Sequence, residues 1–92
     1  MRAVLFQDGE AWLAHCLEQN ICAQASTIEE AYNRLGLTIS AERDYSRERK
    51  MPDFHGIGPA PARIFLLYSK APGTYQPETS NTDLCVRVAM SD

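Results

Sequence analysis

Apolar and polar positions alternate along the first 26 residues in three short runs, the period of two that belongs to β-strands. RAVLFQ meets Asp8-Gly9, AWLAHCL resumes the apolar run, and a turn at Glu18-Gln19-Asn20 leads into ICAQA. An Asp-Gly step between two such runs predicts a hairpin closed by a type I′ turn, whose two central residues both take φ > 0. Val4 and Phe6 then share one face of the first strand and Leu5 takes the other. On the second strand Trp12, Ala14 and Cys16 oppose Leu13, His15 and Leu17. Both faces are apolar, so both need a cover, and one helix supplies only one.

The period then changes. Ser26 and Thr27 are good N-caps, and Thr27-Ile28-Glu29-Glu30 fits a capping box in which Glu30 reaches back to the cap amide. Glu29 and Glu30 also sit where the positive end of the helix dipole favours them. Ile28, Ala31, Tyr32, Leu35 and Ile39 recur at the i, i+3, i+4 spacing of a core-facing stripe. The spacing predicts a helix to about Asp44 or Tyr45, with Gly36 costing it about 1 kcal/mol relative to alanine. At roughly 100° per residue Leu37 projects almost opposite Ile28, and Ala41 and Tyr45 fall near it. This second apolar strip has two readings: the C-terminal half of the chain folds over it, or it is a partner or dimer contact.

Residues 43–53 are polar and mixed in charge, and read as a linker or a fraying helix end. DFHGIGPAPAR, rich in glycine and proline, predicts irregular chain. Pro61 suits the first turn of a short helix, PARIFLLYSKA, with Ile64, Leu67, Tyr68 and Ala71 as its buried stripe. Residues 73–83 read as a loop. DLCVRVAM alternates Leu84, Val86, Val88 and Met90 against Cys85, Arg87 and Ala89, which predicts a fourth strand. The fold class is therefore α+β: a small antiparallel sheet of three N-terminal strands plus a C-terminal strand, with a long helix packed on it and a second short helix. One domain spans 1–92, with a βββα core over 1–50 and the connection, short helix and last strand over 51–92.

Composition narrows the function. A chain of 92 residues, 45% hydrophobic, has the size and apolar content of one globular domain. No run approaches the roughly 20 apolar residues of a membrane helix, and MRAVLFQDGEAW meets charge at Asp8 and Glu10. Neither a membrane span nor a secretory signal is expected, and the cytoplasm is the expected compartment. Net charge is −3, and residues 1–40 set Arg2 and Arg34 against Asp8, Glu10, Glu18, Glu29 and Glu30. Only Arg43 to Lys50 is locally basic, interleaved with Asp44 and Glu48. Nucleic-acid binding uses a one-sided basic field, so direct DNA binding is not expected. Cys16, Cys22 and Cys85 form no C-x-x-C pair and read as reduced, buried thiols.

Candidate chemistry is sparse. His15, between Leu13 and Leu17, reads as a half-buried, hydrogen-bonded side chain. His55 lies in a Gly/Pro-rich loop, where function concentrates, so His55, Gly56 and Gly58 form a candidate loop site. That stretch lacks the spacing and the following lysine of a phosphate loop, and its prolines withhold amide donors. Asp8 belongs to a turn and Glu29 and Glu30 to a helix cap, so no facing carboxylates emerge. Catalysis needs convergent polar groups. The sequence offers none, and no enzymatic activity, metal or cofactor is expected. Trp12, beside Tyr32 and Phe6, reads as a core anchor.

VLFQDGEAWLAHCLEQNICAQASTIEEAYNRL resembles the HicB-type antitoxin domain: a hairpin, a "C-L-E" turn, a strand ending in small residues, and a T-x-x-E-A helix. The matching residues are Trp12, Ala14, Cys16, Leu17, Glu18, Ala23, Ala25, Thr27, Glu30, Ala31 and Leu35, about the first half of the chain. The resemblance implies a sheet with a helix on one face, a truncated relative of the ribonuclease-H-like fold. It also implies a protein that neutralises a small RNA-cleaving toxin and often dimerises. Full members of the family usually append a helix-turn-helix or ribbon-helix-helix. No such helices follow LCVRVAM, so the solitary form without operator binding is expected.

The expected function is thus a non-catalytic module that inhibits a protein partner, such as a small toxin, and as one form of that contact a homodimer. The strip Leu37, Ala41, Tyr45 and the edge of the C-terminal strand are the expected contact surfaces, since a strand edge invites pairing by another chain. Two other classes fit size and charge: an inhibitor from a phage or mobile element that blocks a host nucleic-acid-handling complex, and a vestigial hydrolase.

Overall fold

The computed structural model describes residues 1–77 and 84–89. Its elements in chain order are β1 (Arg2–Asp8), β2 (Ala11–Cys16), β3 (Cys22–Ala25), α1 (Ile28–Glu48), α2 (Ala62–Lys70), β4 (Gly73–Thr74) and β5 (Cys85–Val88). The strands form one five-stranded sheet in the order β3-β2-β1-β5-β4. β1 pairs antiparallel with β2, and β2 with β3.

Two expectations about the sheet need correction. It is mixed: β5 runs parallel to β1, with Ala3 opposite Val86 and Leu5 opposite Val88. A parallel neighbour demands a long crossover, and the helices lie within it. Second, Gly73 and Thr74, in the segment read as loop, pair antiparallel with β5, and the Tyr75 amide continues the ladder to Val86 O at 2.9 Å. Two residues are too few for any period to show. β5 is consequently not a sheet edge. Met90 and the expected loop positions 78–83 lie outside the described residues.

The first hairpin forms where the Asp-Gly step predicts it, with a shifted turn. Asp8 pairs with Ala11, so Gly9 and Glu10 are the central residues, and only Gly9, at φ 63°, is left-handed. Glycine at the first central position with a normal second residue is the pattern of a type II′ turn, not I′.

Thr27 is the N-cap of α1, as expected, and its Oγ1 accepts from the Glu30 amide at 3.1 Å, the one half of the expected capping box that forms. The helix runs to Glu48, past the expected end at Asp44 or Tyr45 and into the first half of the stretch read as a linker or a fraying helix end. Lys50 adopts φ 58°, its amide donates to Arg47 O at 3.0 Å, and Met51 donates to Ser46 O at 2.9 Å. This is the paired bonding of a Schellman cap, with lysine where glycine is usual. The Arg47–Asp53 ion pair, with both hydrogen bonds at 3.1 Å, holds the following loop against the last turn.

The two apolar faces of the sheet carry two cores. Ala3, Leu5, Ala14, Cys16 and Val86 pack with Ala31, Tyr32, Leu35 and Ile39 of α1. Val4 and Leu17 on the opposite face pack with Ile64 of α2, Ala60 and Ala89. Leu67, Tyr68 and Ala71 are half-buried beside them. Trp12 joins the α1 core, whereas Phe6 belongs to the α2 side, so these two aromatics do not form one anchor. Residues 51–60 carry the chain between the two faces. Phe54 plugs into the α1 core with the Arg43 guanidinium 5.4 Å from its ring centroid. Gly58 O accepts from the Asn20 amide at 2.7 Å, and Ala60 N donates to Leu17 O at 2.9 Å.

Two consequences are testable by urea denaturation. Leu35→Ala and Ile64→Ala, one in each core, each lower stability by about 2–5 kcal/mol, because both side chains are fully buried and leave cavities. Lys50→Gly raises stability by about 1 kcal/mol, because glycine adopts the left-handed cap without a Cβ clash.

Candidate interaction surfaces

α1 turns Ile28, Ala31, Tyr32, Leu35 and Ile39 to the sheet, so a 3.6-residue helix must turn Leu37, Ala41 and Tyr45 away from it. All three are exposed, Leu37 at 71% and Tyr45 at 56%. The strip continues into Arg49, whose guanidinium lies 5.1 Å from the Tyr45 ring centroid. Of the two sequence readings, cover by the C-terminal half is not provided by its described residues: α2 packs on the opposite face of the sheet.

The candidate loop site does not converge. His55 is exposed, Gly56 takes φ 81°, and Gly58 spends its carbonyl on Asn20. Gly56 and Gly58 are parts of the strap between the two faces. Among the described residues no group of three His, Cys, Asp or Glu side chains is placed to hold a metal ion.

Two concave surfaces were not anticipated. A groove of about 700 Å³ lies along α2, lined by Arg2, Leu17, Ala60, Phe65, Leu66 and Tyr68. Its sequence signal is surplus: Ile64 to Tyr68 are five consecutive apolar residues, more than one buried stripe uses, and Leu66 is 57% exposed. Arg2 lies over this surface with its guanidinium 5.7 Å from the Phe65 and Tyr68 ring centroids. A second cavity of about 440 Å³ is walled by Tyr32, Tyr68, Tyr75, Cys85 and Arg87. Arg87 stacks on Tyr68 at 4.6 Å and donates to its carbonyl at 3.3 Å, while Tyr75 meets Tyr32 with ring centroids 5.2 Å apart. No sequence period marks Tyr75, which stands alone in a polar stretch.

The cysteines also depart from expectation. All three are free, and only Cys16 is buried, where desolvation pushes its thiol up. Cys22 and Cys85 are exposed, because they lie on the α2 face of the sheet beyond that helix's reach. His15 is hydrogen-bonded as expected, with Nε2 2.7 Å from Asn20 Oδ1, but at 8% exposed it is buried rather than half-buried.

Fold and surface together define a small α+β domain with a two-faced sheet and an exposed apolar strip on its long helix. No protein-family model, curated protein or solved structure matches the chain.

One ion pair gives the surface a pH response. Partial desolvation pushes the Glu18 carboxylate up, but hydrogen bonds from the Arg2 amide (2.7 Å) and guanidinium, with their Coulomb attraction, outweigh it and hold it below its ordinary 4.5. A depressed carboxylate adds stability above its unfolded value, and that contribution disappears as pH falls through the folded one. Thermal melts between pH 5 and about 2 should therefore show a steeper acid loss in the native protein than in Glu18→Gln.

Proposed function

We propose that this chain is a non-catalytic binding module of the HicB-like antitoxin type, acting in the cytoplasm by occluding a protein partner such as a small RNA-cleaving toxin. The observation that carries the reading is the exposed strip Leu37, Ala41 and Tyr45 on a helix held rigidly by the core beneath it. A tyrosine and a leucine two turns apart on one helix face make the kind of anchor pair that helix-borne interfaces use. The fold supports the reading as well. The residues behind the resemblance occupy the second strand, the turn, β3 and the capped start of α1, and α1 packs on one face of the sheet while α2 covers the other. The acidic balance of residues 1–40 suits a basic nuclease, because complementary charge speeds encounter and guides orientation.

The test is co-expression with a small basic ribonuclease encoded beside this gene, followed by calorimetry and light scattering on the purified proteins. Leu37→Glu and Tyr45→Ala should melt within about 0.5 kcal/mol of the native protein, as surface substitutions do. Each should weaken the complex by about 2 kcal/mol or more, roughly 30-fold. Full affinity and full toxin inhibition in both variants would remove the strip from the interface. If light scattering shows a native dimer that both variants convert to a folded monomer, the strip serves self-association and the toxin contact lies elsewhere.

A further inference from the structure

Cys22 stands on β3, the edge strand of the sheet, and its register sets it opposite His15 of β2. The Cys16 amide donates to Ile21 O at 2.9 Å, so the adjacent pair, His15 with Cys22, is the non-hydrogen-bonded kind. In such pairs the Cβ atoms stand closest, about 5 Å apart. A thiol and an imidazole at that separation on one face are within reach of each other by rotation about χ1 of the exposed cysteine.

His15 is held in one role. Asn20 Oδ1, 2.7 Å from His15 Nε2, is an acceptor only, so Nε2 carries the proton and donates it. Nδ1 is left as the basic nitrogen of the neutral ring. Asn20 is itself fixed, because its amide donates to Gly58 O at 2.7 Å. A cysteine, an imidazole base beside it and an amide that sets the imidazole's tautomer are the parts of a Cys-His-Asn nucleophile. The other thiols lack them: Cys16 is buried on the α1 face, and Cys85 pairs with Arg2, whose charge Glu18 takes up. Arg87 lies across β1 on the same face, opposite Val4 and stacked on Tyr68.

We propose that Cys22, His15 and Asn20 form a reactive-thiol site at which Cys22 exchanges with low-molecular-weight disulfides. The Cys22 proton passes to His15 Nδ1, and the thiolate attacks one sulfur of the disulfide. A bond forms between the Cys22 sulfur and that sulfur as the original S–S bond breaks, and the leaving thiolate recovers the proton from the imidazolium. The products are the protein mixed disulfide and one small thiol, so the disulfide is the only oxidant required. Among the described residues β3 has no strand on its outer side, which leaves room for the adduct. Asn20 acts as a positioning residue. The site lies on the opposite face of the sheet from α1 and is independent of the partner-binding reading.

The full chain is incubated with oxidised glutathione across pH 5.5–9.5 (roughly three units below to one above an ordinary thiol), quenched in acid and mapped by peptide mass spectrometry. Cys22 should form the adduct about tenfold faster than Cys85, which is also exposed, near neutral pH. Asn20→Ala and His15→Gln should return the Cys22 rate to that of an ordinary exposed thiol and leave Cys85 unchanged. Equal rates for Cys22 and Cys85 across the pH range in the native protein overturn the proposal, whether or not His15→Gln folds. A Cys22 profile indifferent to Asn20→Ala overturns it too.

Discussion

Three consecutive residues of β1, Ala3, Val4 and Leu5, have no solvent exposure. Since neighbours along a strand face opposite ways, this central strand is buried from both sides, and most of the architecture is a response to that. β2 and β5 flank it, the latter in parallel, so the chain cannot return by a tight turn. It returns through a crossover that lays α1 on one face, passes residues 51–60 around the sheet and lays α2 on the other. The strap is fixed at each side: Phe54, at φ 62°, is buried in the α1 core, and the bonds from Asn20 to Gly58 and from Ala60 to Leu17 dock it at the β2–β3 end. Burial of an aromatic ring is large enough to hold a residue in a conformation that costs about 1–2 kcal/mol.

Placing α2 on the far face has a price in exposed apolar area. The strip at Leu37, Ala41 and Tyr45 is exposed, with no cover among the described residues, and α2 exposes Leu66 beside the groove it shares with β1. Arg2 moderates the second surface by lying over Phe65 and Tyr68 while Glu18 holds its charge. Among the described residues the α1 strip has Arg49 over Tyr45 at one end. This difference is why the interaction reading rests on α1.

The legible parts were those with a period or a cap. Alternation in residues 2–17 placed each side chain on its observed face, apolar content on both sides implied two covers, and Thr27 with Glu30 fixed the start of α1. What failed was information without a period. The end of α1 rests on a left-handed lysine that sequence rules expect to be glycine. β4 is two residues long, and the parallel placement of β5 is a choice of partner that its own alternation cannot express. For the candidate sites, Leu37, Ala41 and Tyr45 were legible as a strip, but their exposure depended on where α2 went. The grouping of His15 with Cys22 needed the β2–β3 register, and the cysteine count had pointed to burial.

Asn20 links the two levels of organisation. Its backbone amide anchors the strap that lets α2 reach the second face, and its side chain sets the tautomer of His15. The imidazole is therefore positioned by the same turn that secures the crossover, so its geometry is as rigid as the fold itself. A surface histidine would lose rotamer freedom on binding a proton or a partner, whereas His15, 8% exposed and already bonded, has lost it on folding. The entropy of placing a base beside Cys22 is met by the folding of the sheet, and that preorganisation distinguishes this pair from a cysteine and a histidine that merely share a surface.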